Sequence, residues 1–247
     1  MPAVTLWHVP VSHYSEKVRW ALDRKRVPHR RRALLNGVHP LVALVLTRGA
    51  HATVPVLALD GRAIGDSTAI LAALEARFPD PPLLPADPAE RERALALEDW
   101  FDEHAGAYVR RLVYHDLIAD PDALDEAARE LMPWVTPATA GVAAAAMVRG
   151  LDVRFGVRSV ERARTAEEKV LVALDRLEAE LDGRAFLCGG ALSVADVAAA
   201  ALLYPLVLPP EGPWHPEHVP PRWRERMDAV RDRRGVRWVA ETYARWR

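Results

Sequence analysis

Cys188 is the only cysteine in this 247-residue chain. A single thiol excludes an intrachain disulfide and any Cys/His metal cluster, so no metal is expected, and it suits a reducing cytoplasm. Neither sign of charge is in excess: 33 Lys and Arg stand against 34 Asp and Glu. That balance argues against a dedicated nucleic-acid binder. The arginine-rich stretch 222–247 is interrupted by Glu225, Asp228, Asp232 and Glu241 and reads as a solvated helix face. Long apolar runs are missing too. The most apolar region, 197–210, is broken by Pro205 and falls short of the ~20 residues that span a bilayer, so it reads as a buried helix and no membrane partner is expected. The opening MPAVTLWHVPV lacks a basic n-region and a small-residue cleavage site, which speaks against secretion. No repeat or low-complexity tract stands out. What remains is a chain that is 50% apolar, enough for one large or two modest domains.

Residues 5–8 alternate as a short strand, and 15–24 follow as a helix presenting Val18, Ala21 and Leu22 at helical spacing. Pro28 precedes a second strand at 29–34. After Pro40, Leu41, Leu44 and Val45 form a short apolar helical stripe. Val54, Val56, Leu57 and Leu59 read as a buried strand, with Pro55 marking its entrance because proline has no N–H for the ladder. Asp60-Gly61 is a two-residue hairpin signal that reverses the chain into 62–64. Gly65 turns it again, and Asp66-Ser67 starts a helix carrying Ile70, Leu71 and Leu74 to Phe78-Pro79. The order β-α-β-α-β-β-α describes a compact mixed sheet with helices on its faces.

Five prolines in PDPPLLPADP mark a linker at 80–88, dividing the chain into an α/β domain at 1–79 and an all-α domain at 89–247. The helices expected in the second part are 89–118, 123–149 disrupted by Pro133 and Pro137, 165–181, 194–207, 221–231 and 236–245. The best-defined start is Leu192-Ser193-Val194-Ala195-Asp196-Val197, a capping box with a hydrophobic staple.

Three places carry candidate chemistry. A cis Val54–Pro55 bond would leave the Val54 backbone free to pair with an extended ligand. At Asp66-Ser67 the free N–H groups of a helix start meet a hydroxyl and a carboxylate, a combination suited to an α-amino acid head group or to plain capping. Ser12 stands just before the first helix, with Tyr14 and Ser15 on the same turn and Lys17 and Arg19 nearby, where a negative sulfur or oxygen would be stabilised. His13 adjoins Ser12, but no G-x-S-x-G elbow accompanies the pair, which weakens a hydrolase reading. Trp100, His104 and Tyr108 are four apart and share one face of the first long helix, as a core or dimer stripe or as a pocket for a second substrate.

The Ser-x-x-Ser-x-Lys-Val-Arg start at 12–19, the Val54-Pro55-Val56-Leu57 segment, the Asp66-Ser67-x-x-Ile70 start and the Ser193-x-x-Asp196 box occur in one order around a Pro-rich linker. Together they resemble the cytosolic glutathione S-transferase superfamily over nearly the whole chain. The resemblance implies a thioredoxin-like N-terminal domain and a helical-bundle C-terminal domain, with glutathione as co-substrate. It implies that Pro55 is the cis-proline of that fold, that Val54 pairs with the cysteinyl part of glutathione, and that Asp66 and Ser67 hold its γ-glutamyl ammonium and carboxylate. Ser12 matches the hydroxyl of serine-type transferases; Tyr14 is a competing donor, and Ser15 completes the candidate catalytic set. The expected partners are glutathione, a small electrophile bound between the domains, and a second copy in a homodimer. Cysteine, common in relatives at the Ser12 or Ser15 position, is absent from both, which disfavours reduction through a protein mixed disulfide. Thr53 stands where a basic residue often precedes Val-Pro, and His51 is a candidate for the glycine end of glutathione or a plain loop residue. A glutathione-dependent isomerase and a non-catalytic binding or interaction protein of the same fold are the alternatives.

Overall fold

The computed structural model describes residues 4–34, 38–131, 136 and 139–247. β1 (Val4–His8), α1 (His13–Arg24), β2 (His29–Ala33), α2 (His39–Leu46), β3 (Val56–Leu59), β4 (Arg62–Gly65) and α3 (Ser67–Arg77) follow the order read from the sequence. The sheet order is β2-β1-β3-β4. β1 runs parallel to β2, which requires a crossover that α1 supplies, and antiparallel to β3. β3 and β4 pair antiparallel across Asp60-Gly61, whose φ values of 49° and 78° are those of a mirror-image hairpin turn. Leu6 and Leu57 of the sheet join Val18 and Leu22 of α1 and Ile70 and Leu74 of α3 in one core.

Two local expectations change. β3 begins at Val56, and Val54, half-buried, precedes it at a cis Val54–Pro55 bond. On α2 the stripe does not face the core: Leu41 is 67% and Val45 78% exposed, and Ala43 is the buried position. Helical spacing puts residues on a common face but does not say which face meets the sheet.

The second half is helical: α4 (Pro88–Phe101), a π-helical turn at Asp102–Gly106, α5 (Ala107–Ile118), α6 (Pro121–Leu131), α7 (Ala140–Phe155), α8 (Val160–Leu181), α9 (Val194–Leu203) running into a 3₁₀ turn at Tyr204–Leu206, α10 (Pro221–Val230) and α11 (Arg234–Trp246). The long helix expected over 89–118 is therefore interrupted by a wider turn, an irregularity found often at functional sites. Pro133 and Pro137, expected to break a helix, lie outside the described residues.

Every residue of α9 is buried. It packs on both α4 and α1, so it joins the helical half to the sheet half. Its start is held by Asp196, whose carboxylate accepts from the N–H groups of Leu187 at 2.7 Å and Ser193 at 2.8 Å and from the Ser193 hydroxyl at 2.6 Å. Trp20 of α1 packs on Tyr243 of α11 and donates to the Trp246 carbonyl at 3.2 Å. Three of the C-terminal arginines are tied to acids elsewhere in the chain: Arg226 pairs with Asp116, Arg233 with Glu178 and Arg247 with Glu16. Among the described residues no helix is long and apolar enough to cross a membrane.

Candidate functional site

Ser12 is the N-cap of α1. Its Oγ accepts from the Ser15 N–H at 3.2 Å, satisfying one orphan donor of the first turn and leaving its own O–H free to donate outward. The other hydroxyls of that turn are placed differently. The Tyr14 hydroxyl donates to the Asp102 carbonyl at 2.9 Å, and burial pushes its pKa up to about 12. Ser15 is 0% exposed, its hydroxyl enclosed without a partner. Of the three, only Ser12 combines partial exposure with an uncommitted donor. His13 is buried, and burial together with the charge of Arg110 pushes its pKa down to about 3, so the ring is neutral at pH 7.

α3 starts beside this turn. Asp66, at φ 70°, caps it by accepting from the Ala69 N–H at 3.0 Å. With ψ at 131° the residue lies outside the left-handed helical well that Asp commonly adopts, and such outliers concentrate at functional sites. The first-turn N–H groups of Ser67 and Thr68 have no intrahelical acceptor. The His51 ring rests on Gly65, one residue before Asp66, so the loop leading to Val54 lies against the same corner.

Asp102 connects these pieces, and sequence reasoning missed it. Its carbonyl accepts from Tyr14 of α1, while its carboxylate accepts from Ser67 of α3 at 3.3 Å and from Lys17 at 2.6 Å. Lys17 is 0% exposed and also donates to Glu98 at 2.5 Å, which in turn accepts from Thr68 at 2.9 Å. Burial pushes both carboxyls above their ordinary range, and Lys17 opposes that rise. Two carboxylates against one ammonium leave one surplus negative charge at the start of α3 when both are ionised, a complement for a ligand cation. The Lys17 of the sequence motif was the available signal, because a lysine on the core side of an amphipathic helix needs a buried acid.

A cavity of about 60 Å³ opens beside Ser12, between Arg110, Val113, Tyr114 and Leu117 of α5, Pro205 and Trp214. Trp100, His104 and Tyr108 do not line it. Trp100 and His104 stack with ring centroids 4.8 Å apart, the Arg176 guanidinium of α8 lies over Trp100, and that of Arg111 lies over Tyr108. Trp100 and His104 thus share a face as their spacing implies, and Tyr108 follows beyond the π-helical turn. Cys188 is fully buried with its pKa pushed up to about 11, which leaves the thiol protonated at neutral pH. Among the described residues no group of His, Cys, Asp and Glu could hold a metal ion.

Residues 6–82 match the family described as glutathione S-transferase, N-terminal domain, and residues 89–232 match glutathione S-transferase, C-terminal domain. FtsZ-localized protein A of Caulobacter vibrioides is 27% identical over 225 residues, which span 90% of this chain and 86% of that protein. The solved structure of FzlA from C. crescentus aligns with a TM-score of 0.60 and 24% identity, covering 96% of this chain and 86% of that one. The theta class glutathione S-transferase from the citrus canker pathogen Xanthomonas axonopodis pv. citri, solved with glutathione bound, aligns with a TM-score of 0.60 and 20% identity over 96% of each chain.

Proposed function

The chain belongs to the glutathione S-transferase family through both its thioredoxin-like and its helical half, and from that premise we propose that it binds glutathione where the starts of α1 and α3 meet Asp102 and activates the thiol for attack on a small electrophile. The observation that carries this reading is Asp102 itself, bonded to Tyr14 on one helix start and to Ser67 on the other. One ligand spanning that corner would meet an outward hydroxyl at one end and a helix N-terminus with surplus negative charge at the other. The Val54 backbone beside Pro55 would clamp the cysteinyl residue; Asp66, with Asp102 behind it, would hold the γ-glutamyl ammonium, and Ser67 its carboxylate. Ser12 would donate to the sulfur. A thiol of pKa about 8.5 is only a few per cent ionised at pH 7, so each of the first two units by which the site lowers that value raises the thiolate fraction severalfold before it saturates. The thiol proton leaves to solvent, the sulfur forms a bond to the electrophilic carbon, and the leaving group departs with its electron pair.

The proposal includes the division at the Pro-rich segment into 1–79, a linker at 80–88 and 89–247 and the cytoplasmic location suggested by the single cysteine, together with a homodimer and a detoxifying role as family expectations. Calorimetry with glutathione tests binding; no heat at millimolar ligand refutes it. Turnover of an aryl halide by Ser12→Ala tests the chemistry. A fall in kcat at unchanged glutathione affinity is expected, and wild-type turnover removes Ser12 from the mechanism. A second reading, a binding or interaction protein that kept the fold without turnover, is supported by the likeness to a protein named for its localisation with FtsZ. Glutathione binding without turnover of any electrophile would favour it.

A further inference from the structure

Arg110 is the cation of the cavity beside Ser12, and among the described residues no carboxylate pairs with it. Its guanidinium lies over the Phe155 ring at 4.5 Å and the Tyr14 ring at 5.4 Å, and its Nε is enclosed without a hydrogen-bond partner. Three other enclosed arginines pair with acids, Arg19 and Arg247 with Glu16 and Arg226 with Asp116; Arg24, over the Trp246 ring with its Nε likewise unpartnered, lies away from this cavity. A half-buried guanidinium held by ring faces keeps its charge while its in-plane donors stay open, and enclosed donors left without acceptors are costly. A second group at the same cavity is also unsatisfied. His13, 5% exposed, has no partner at Nε2. Its neutral ring supplies no counter-charge to Arg110 and leaves a polar atom for a ligand group or a bridging water.

We propose that Arg110 anchors a carboxylate and that this cavity selects small carboxylate-bearing electrophiles, the acid group on the guanidinium and the reactive carbon toward Ser12. Planar N–H pairs suit the two oxygens of a carboxylate in a way a point charge does not. Size limits the class further. At ~10–15 Å³ of such volume per water-sized sphere, the cavity holds roughly four to six heavy atoms, the size of a two- or three-carbon acid. Val113 and Leu117, one turn and two turns along α5 from Arg110, give the carbon chain an apolar wall.

The acid site is independent of the thiol site, whereas the placement of the reactive carbon rests on the proposed glutathione reading. Two experiments separate them. Ligand-observed NMR without any thiol compares propionate with its neutral isostere propionamide. Propionate is expected to bind in the millimolar range usual for so few atoms. Propionamide should bind ~10-fold or more weakly, as a lost charge-assisted hydrogen bond implies. Arg110→Gln should abolish the preference and Arg110→Lys should keep part of it, which excludes misfolding as the cause. Equal binding of acid and amide, preference retained in Arg110→Gln, or no propionate binding at tens of millimolar each overturns the assignment. Turnover with glutathione then compares chloroacetate with chloroacetamide: the C–S bond forms, the C–Cl bond breaks, chloride leaves with the bonding pair and the thiol proton passes to solvent. The rate over the uncatalysed reaction should favour chloroacetate, and Arg110→Gln should lower that advantage about 10-fold. Propionate binding with neither chloride turned over would refute the thiol chemistry and leave the acid site standing. Equal acceleration of both chlorides, unchanged in Arg110→Gln, would do the reverse.

Discussion

Replacing Lys17 with methionine keeps the length and packing of the stem and removes the ammonium that Glu98 and Asp102 share. The side chains of Lys17, Glu98 and Asp102 are 0%, 2% and 14% exposed, so water cannot substitute for the lost cation. Breaking a buried pair by deleting one partner costs about 3–5 kcal/mol, because the remaining charge is left uncompensated. Against a typical stability of about 5–15 kcal/mol this is a large fraction. The deficit should depend on pH with a definite sign. Burial already raises both carboxyl pKa values in the fold, and Lys17 holds them down. Without it they rise further above their unfolded values, so the folded variant takes up protons at a pH where the unfolded chain does not. Proton uptake by the folded state stabilises it as pH falls. The gap between Lys17→Met and wild type should therefore shrink on acidification from about pH 7.5 to 5.5, each unit of pKa difference being worth about 1.4 kcal/mol. Urea unfolding followed by tryptophan fluorescence at both pH values measures it. Adding Glu98→Gln and Asp102→Asn to Lys17→Met should recover part of the loss at pH 7.5. A deficit below about 1 kcal/mol at that pH, or one that grows on acidification, would refute the reasoning from buried charge.

His8 and His13 have folded pKa values lowered to about 4 and about 3, the first chiefly by burial with Arg19, the second by burial with Arg110. The unfolded chain therefore protonates first, and the stability these two rings contribute should be lost as pH drops from about 6.5 toward 4, by up to about 1.4 kcal/mol per unit per histidine; a difference in unfolding free energy between wild type and a His8→Gln, His13→Gln variant that stays constant across that window would contradict it. Gly106→Ala brings a Cβ to 2.5 Å from the Tyr14 hydroxyl oxygen and 2.9 Å from Leu202 Cδ2. The expected loss is about 1–3 kcal/mol, with partial relief from adding Tyr14→Phe in denaturant titrations. At the α9 start, Asp196→Ala removes three accepted bonds and strands the buried N–H groups of Leu187 and Ser193. It should cost more than Ser193→Ala, whose loss stays near the 0.5–2 kcal/mol of an ordinary cap. Equal losses in thermal unfolding would argue against this ranking.

Features set by local chemistry were legible in the sequence: the Asp60-Gly61 hairpin, the Ser12, Asp66 and Ser193 helix starts, and the β-α-β-α-β-β-α order, each decided within a few residues. What escaped depends on distant pairing or on facing. Lys17 meets Glu98 and Asp102 from the other half of the chain, and no spacing rule links positions so far apart. The α2 stripe failed because periodicity identifies a common face and not its partner. Trp100 and His104 stack as their spacing implies, whereas no spacing signal announces the π-helical turn that precedes Tyr108. Arg110 drew no attention because a lone arginine on a helix is ordinary until its neighbours prove to be rings rather than acids.

The π-helical turn at Asp102–Gly106 makes this chain unequally tolerant of length changes. A π-helical turn closes i→i+5 where an α-helix closes i→i+4 and so stores one extra residue; deleting one residue there, restoring regular winding, would leave Arg110, Val113 and Leu117 close to their present facing, while a deletion in α5 ahead of Arg110 would swing them by about 100°. Length drift among related chains should accordingly be absorbed in this turn, and the regular winding between it and Arg110 inherited as a fixed count.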